Sequence, residues 1–263
     1  MRWMECHMDN DYPNYLYKYR AVKTPESLSQ DYSIDALFKC QAIFSGRKNF
    51  NDLLDSKINL IFLTQEQIQE LAKQPSFRKF VDNGQTTKEG LNFINNAQDR
   101  LNKLIDSYSL FSLSKNSRNN LMWSHYADSH KGFCIEFKSD YIKADKVSYE
   151  DEIPQIEIID FLNEQGRVNL SNTIWRSLRT KLREWDYEDE YRFQPGGSLP
   201  EKKLPDGEKF VTIPYDPQCV ESIIFGCRTP EPVKTFITKN YPYKVKLKRA
   251  IELMSSIEII DIN

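Results

Sequence analysis

The sequence predicts an α+β fold, a single domain built on a sheet with a helical insertion. Three observations predict it. Short runs of period-two alternation recur along the chain, the clearest being Phe133-Cys134-Ile135-Glu136-Phe137, which reads as a strand with one buried face. One stretch, from Thr64 to Ser107, changes to helical spacing. No internal repeat or low-complexity linker divides the rest. Strands and helices gathered in separate blocks belong to α+β architecture rather than to a repeated βαβ pattern.

The elements follow in order. Residues 1–14 are polar, contain Asp9-Asn10-Asp11 and Pro13, and read as a flexible arm, with the domain occupying 15–263. Tyr15 to Val22 is a tyrosine-rich strand carrying Arg20 near its end. A short helix ends near Lys39, and Gln41 to Ser45 is a second strand. The insertion, about 64–107, opens with Thr64 as a helix cap and holds Ile68, Leu71 and Ala72 on one face. Its second helix, Thr87 to Ile105, carries Leu91, Ile94, Leu101, Leu104 and Ile105 at helical spacing. Tyr108 to Ser114 alternates again as a strand. Short strands are expected over Lys146–Tyr149 and Ile156–Ile159, and a helix over Ser171–Arg183. Tyr187–Phe193, Phe210–Ile213, Ser222–Phe225, Tyr243–Arg249 and Ile257–Ile262 read as further strands, with a helix over Pro230–Asn240.

Composition narrows the class. With 263 residues and 40% apolar side chains, the chain is long enough for a substantial core. A net charge of −2 provides no global field toward nucleic acid or membrane. The five cysteines (Cys6, Cys40, Cys134, Cys219 and Cys227) are scattered, odd in number and without a Cys-x-x-Cys pair, so neither a disulfide scaffold nor a zinc ribbon is expected. The start lacks the apolar run of a signal peptide, and no run approaches the ~20 apolar residues of a spanning helix. The expectation is a cytoplasmic protein, away from membranes, that binds no metal.

Several polar residues invite a functional reading, and each has a plainer one. Glu188 and Glu190, two apart on an expected strand, would point to one face, close enough to perturb each other's ionisation; the plainer reading is an acidic strand end balanced by Arg183 and Arg192. Arg20 has the fork geometry to clamp a phosphate or carboxylate, or pairs an ordinary surface Asp. Ser45 sits where a strand leaves into a loop. The stretch Trp123-Ser124-His125-Tyr126-Ala127-Asp128-Ser129-His130 puts two of the three histidines just ahead of the Phe133 strand. His125 and Tyr126 suit contact with a base or nicotinamide, or simply order a turn. The sets Arg176, Arg179, Arg183 and Lys244, Lys246, Lys248 each line one expected face. They read as solvated surface, or as a nucleic-acid track if both face one groove.

The central stretch, with His130-Lys131-Gly132 and the strand behind it, resembles the signature of a bacterial family of unknown function, DUF2971. Three other pieces fit that family in order: Leu16-Tyr17-Lys18-Tyr19-Arg20, then Ile43-Phe44-Ser45 with Phe50-Asn51-Asp52, then Trp185-Asp186-Tyr187-Glu188-Asp189-Glu190-Tyr191-Arg192. The resemblance spans roughly residues 15 to 230. It departs at Leu53-Leu54, where the family usually has Pro after Asn-Asp.

An Arg ending an early strand, a Ser on a later strand and a Glu-x-Glu entering a late one also resemble the Arg-Ser-Glu layout of ADP-ribosyltransferases. That resemblance implies a mostly antiparallel, split sheet clamping NAD as substrate. Arg20 would hold its phosphate or ribose, with Trp123 and Tyr126 beside it. The serine would be Ser45, or alternatively Ser112 or Ser114. Glu190 would stabilise the oxocarbenium-like transition state, Glu188 would serve a macromolecular acceptor, and His125 would assist at the site. The activity implied is ADP-ribose transfer or NAD hydrolysis, of the kind used by toxins and phage-defence effectors. A non-catalytic module binding nucleic acid or protein on the same scaffold is the alternative.

Overall fold

The structure is a computed structural model that describes residues 12–23, 26–61, 63–75, 77–159, 164–195, 202–203 and 209–262. Chain contacts divide it into two units, one of residues 1–45, 109–147 and 184–263, the other of 46–108 and 148–183.

The first unit carries an 11-stranded sheet. Its strands are β1 (Tyr15–Arg20), β2 (Gln41–Gly46), β3 (Ser109–Ser114), β4 (Phe133–Lys138), β5 (Asp145–Lys146) and β6 (Glu190–Phe193), followed by β7 (Lys202–Lys203), β8 (Lys209–Pro214), β9 (Val220–Phe225), β10 (Lys246–Glu252) and β11 (Ile257–Asp261). The order is β7-β8-β2-β3-β1-β4-β9-β10-β11, with β6 pairing both β3 and β5. Neighbours β1–β3, β1–β4, β3–β6, β4–β9 and β10–β11 are antiparallel, whereas β9 and β10 run parallel. The expected α+β class with a mostly antiparallel sheet is thus the one observed.

Alternation along the strands sorts side chains to two faces. Leu16, Phe111, Phe133, Ile135, Phe137 and Ile223 form the larger core with Ile34 and Leu37 of helix α1 (Tyr32–Phe38). Asp31 caps that helix through bonds from the Ser33 and Ile34 amides. Tyr19, Cys134, Ile224 and Ala250 face the other way, under Met122 and Trp123 of α2 (Asn120–Tyr126). Helix α3 (Glu231–Asn240) lies between β9 and β10 in the chain, as their parallel pairing requires, and buries Val233 and Ile237 in the larger core. The Phe133–Phe137 strand, expected to bury one face, is buried on both. It lies between β1 and β9, with helices above and below.

After α2 the chain turns through three consecutive left-handed residues, Asp128, Ser129 and His130, with φ of 46°, 52° and 69°. The His130 amide donates to the Trp123 carbonyl (3.1 Å) and the Gly132 amide to the Ala127 carbonyl (2.8 Å). The turn brings Gly132 onto β1 so closely that a Cβ there would sit 2.0 Å from the Arg20 carbonyl oxygen. A Cβ on Gly226 would sit 2.2 Å from the His130 carbonyl oxygen. Both neighbours are backbone, so neither contact can relax by a side-chain rotation.

In the second unit Thr64 and Gln67 form a reciprocal capping box on helix Gln65–Ala72, and Thr87 caps helix Lys88–Asp106. Leu71, Ile94 and Ile158 share a core. Asn59–Ile61 pairs in parallel with Gln155–Glu157, and Ser148–Glu150 with Thr180–Leu182. The expected insertion at 64–107 lies in this unit, which extends beyond it to 46–63 and 148–183. The helix expected over Ser171–Arg183 instead runs Glu164–Leu178 and gives way to the strand Thr180–Leu182. Of the expected arm, residues 1–11 lie outside the described residues. Tyr12 and Asn14 are tied to the first unit, by Tyr12 Oη donating to the Ala144 carbonyl (2.8 Å) and the Ser139 amide donating to Asn14 (3.1 Å).

Gly132→Ala should destabilise the chain by roughly 2 kcal/mol or more, since backbone must shift to admit the methyl. A lowered urea midpoint at unchanged slope is the expected signature, and a midpoint equal to the parent's would show that the seam yields freely.

Candidate functional site

Three motifs distant in sequence meet across neighbouring strands. Tyr17 of β1 pairs with Ser114 of β3, and Ser114 pairs on its other side with Glu190 of β6. Directly opposed residues of antiparallel strands point to the same face. Tyr17, Ser114 and Glu190 therefore form a row on the α2 side of the sheet.

Glu190 is 5% exposed and Arg192, two residues on, is 0% exposed. Their contact is bidentate, Nε to Oε1 and Nη2 to Oε2, both 2.8 Å. Each charge solves the other's desolvation, and the fork fixes the plane of the carboxylate. Glu188 is held differently from the expectation. It ends a 3-10 helix over Arg183–Glu188, and Asp189 follows in the left-handed region at φ 45°. The two glutamates thus do not share a strand, and the pleat does not align them. Tyr126 Oη donates to the Glu188 carboxylate (2.5 Å), and Ser114 Oγ donates to the Glu188 carbonyl (2.6 Å).

Another buried carboxylate, Glu136 on β4, lies on the same face as Glu190. It accepts from Tyr17 Oη (3.0 Å), Lys248 Nζ (2.6 Å) and Ser222 Oγ. Burial first, then the Glu136 charge, push the Tyr17 phenol well above its usual range. Sequence reasoning missed this site by placing Glu136 on a solvent face. The signal was present in Lys248, a cation at period two on a late strand.

Arg20 lies elsewhere. It pairs with Phe133 and is three residues from Tyr17, so it points to the opposite face of the sheet from Glu190. The expected convergence of Arg20 with Glu190 in one cleft is not what the register allows. Burial lowers the Arg20 pKa, with Tyr32, Tyr215 and Asp31 nearby pulling it back up. The hydroxyls of Tyr32 and Tyr215 are buried without hydrogen-bond partners among the described residues. Trp123, expected to stack on a ligand, is fully buried, donates its indole N–H to the Ser117 carbonyl (2.8 Å) and meets Tyr19 edge-on at 5.0 Å. It is core, because the helix turns it inward. Ser45, on β2, pairs with Phe210 of β8, and β2 does not pair with β6. His125 is exposed near the end of α2, its ring 6.4 Å from that of Tyr126 and 6.3 Å from that of Tyr187.

Lys18, unremarked in the sequence, reaches between strands. Its Nζ donates to the Ser112 carbonyl (2.7 Å) and stands 5.0 Å from the Phe111 ring centroid. Burial, then the Arg20 charge, lower its pKa to about 7, against the pull of Glu190 and Glu188. The basic rows are largely used inside the fold. Lys246 pairs with Glu221, Lys248 with Glu136, Arg183 with Asp151, and Arg179 lies over the Trp175 ring. Among the described residues no group of three or more His, Cys, Asp or Glu side chains is placed to hold a metal ion. None of their helices is long and apolar enough to cross a membrane.

Fold and site together define an α+β protein whose large, mostly antiparallel sheet carries internally paired carboxylates on its α2 face. Residues 122–193 match the family described as protein of unknown function, DUF2971. The match takes in α2, the left-handed turn, β4 and the Glu-Asp-Glu-Tyr-Arg segment; Leu16–Arg20 and Ile43–Asp52 lie outside it. No curated protein and no solved structure matches the chain.

Two outcomes follow from the buried charges. Arg192→Met should cost about 3–5 kcal/mol by removing the guanidinium from the buried Glu190 carboxylate. Adding Glu190→Gln should recover part of that loss, and chemical denaturation of the single and double variants measures it. For Lys18, the folded chain binds the proton more weakly than the unfolded chain does. Between about pH 7 and the ordinary lysine value near 10.5 the unfolded state therefore holds more protons, and stability from this group rises with pH across that window. Lys18→Met should flatten that rise. Identical pH–stability slopes in the two proteins would mean that Lys18 titrates normally.

Proposed function

We propose that the protein is an NAD-consuming enzyme of the ADP-ribosyltransferase type, acting in the cytoplasm to transfer ADP-ribose to a macromolecule or to hydrolyse NAD. One observation carries the reading. Strands β1, β3 and β6 are consecutive neighbours, with Ser114 in register between Tyr17 and Glu190 on one face. In this reading Ser114, rather than Ser45, fills the serine position. Glu190, oriented by Arg192, stabilises positive charge on the ribose carbon as nicotinamide leaves. Glu188 and Tyr126 act together toward the acceptor, with the exposed His125 beside them. Arg20 takes no part on this face. A toxin or phage-defence role goes with this chemistry.

A non-catalytic module binding protein or nucleic acid is the second reading. It is favoured by the burial of Glu190, whose two carboxylate oxygens are both engaged by Arg192. One assay separates the two. The parent protein incubated with NAD should release nicotinamide, Glu190→Gln should lower the rate by roughly 10²–10³, and Arg20→Ala should leave it unchanged. Absence of nicotinamide release, together with no NAD binding by calorimetric titration, rejects the enzyme in favour of the binding module.

A further inference from the structure

A cavity of ≈ 290 Å³ opens beyond the carboxyl ends of the parallel strands β9 and β10. Its walls include Asn120 at the start of α2, His130, the pair Cys227-Arg228 after β9, and Glu252 with the turn joining β10 to β11. The size is close to that of pockets that enclose small ligands.

The wall at His130 is built at a conformational cost. Three left-handed residues in succession, none of them glycine, cost on the order of 1–2 kcal/mol each. The turn is held in place by the Arg228 amide, which donates to the His130 carbonyl (3.0 Å), and by the His130 ring lying nearly parallel to Trp123, at 13° with centroids 6.5 Å apart. This leaves His130 Nδ1 buried with no hydrogen-bond partner among the described residues, a costly condition for a ring nitrogen. Arg228 and Glu252 both line the cavity, and neither has an ion-pair partner among the described residues. Burial first, then Arg228, lower the His130 pKa, so the imidazole is neutral at pH 7. The ionised wall groups are then one cation and one anion. A dianionic phosphate ester would be repelled by Glu252, and a polyamine by Arg228. A net-neutral molecule with separated charges satisfies both.

We propose that this cavity binds a small zwitterion of the amino-acid type, its carboxylate on Arg228 and its ammonium on Glu252. The site is distinct from the row on β1, β3 and β6, and its ligand need not be a substrate of any reaction there.

The test is calorimetric titration of the full chain with each of the twenty L-amino acids at up to about 10 mM, a range that reaches weak millimolar binding. At least one should bind. Its N-acetyl derivative, which keeps only the carboxylate, and its amide, which keeps only the ammonium, should each bind about tenfold or more weakly. Arg228→Gln and Glu252→Gln, both at exposed positions, should each weaken the parent ligand by a similar factor while circular dichroism stays unchanged. Failure of all twenty to bind overturns the proposal. Retention of full affinity by either single-charge analogue, or by either variant, overturns it as well.

Discussion

The close approach of backbones at Gly132 and Gly226 is the constraint on which the rest of the first unit depends. There is no room for a side chain between Gly132 and the Arg20 carbonyl, or between Gly226 and that of His130. With those two seams closed, the left-handed turn at 128–130 fits between the strand ends. Helix α2 is then laid over Tyr19 and Cys134, and β4 enters between β1 and β9. A methyl group at either glycine would separate the elements that position Trp123, Tyr126 and His130 together.

The α2 face combines two ways of burying a carboxylate. Glu190 is answered by one guanidinium from its own strand, a local solution that needs only the pleat to bring residues two apart onto one face. Glu136 is answered by a tyrosine, a serine and a lysine from three other strands, which requires the sheet to be fully assembled. In a low-dielectric interior each arrangement is favourable only when complete. The row at Tyr17 belongs to both, since its hydroxyl serves Glu136 while its backbone pairs with Ser114 beside Glu190.

Much of the fold was legible because its signals are local. Thr64 and Thr87 cap the helices expected to follow them, and the alternation at Phe133–Phe137 marks a strand. Motif order did not show which strands would adjoin, and the first-choice serine, Ser45, lies on β2, which does not pair with β6. What sequence could not supply was parity. Whether Arg20 and Glu190 share a face depends on strand register, and Tyr17, three residues from Arg20, is the one paired into the row. Glu188 was misjudged because Asp189 adopts a left-handed backbone that breaks the strand. Trp123 looked like a ligand contact because nothing in the sequence shows which side of a seven-residue helix meets the sheet. Lys18 and His130 acquire their altered proton affinities from tertiary burial and from the nearby charges of Arg20 and Arg228.

The partners of Glu136 also bear on how this unit comes together in time. Tyr17, Ser222 and Lys248 are separated from Glu136 by 119, 86 and 112 positions along the chain. A carboxylate in the middle of the sheet therefore stays without its cation until a strand made much later has docked. Closing loops of this length comes before any reward from the contacts they bring, which is the signature of slow, late-committing folding. During synthesis, β1 and β4 are available long before Lys248 emerges, and their pairing leaves Glu136 facing water on an uncovered sheet edge. Such an edge is the kind of surface that chaperones shield.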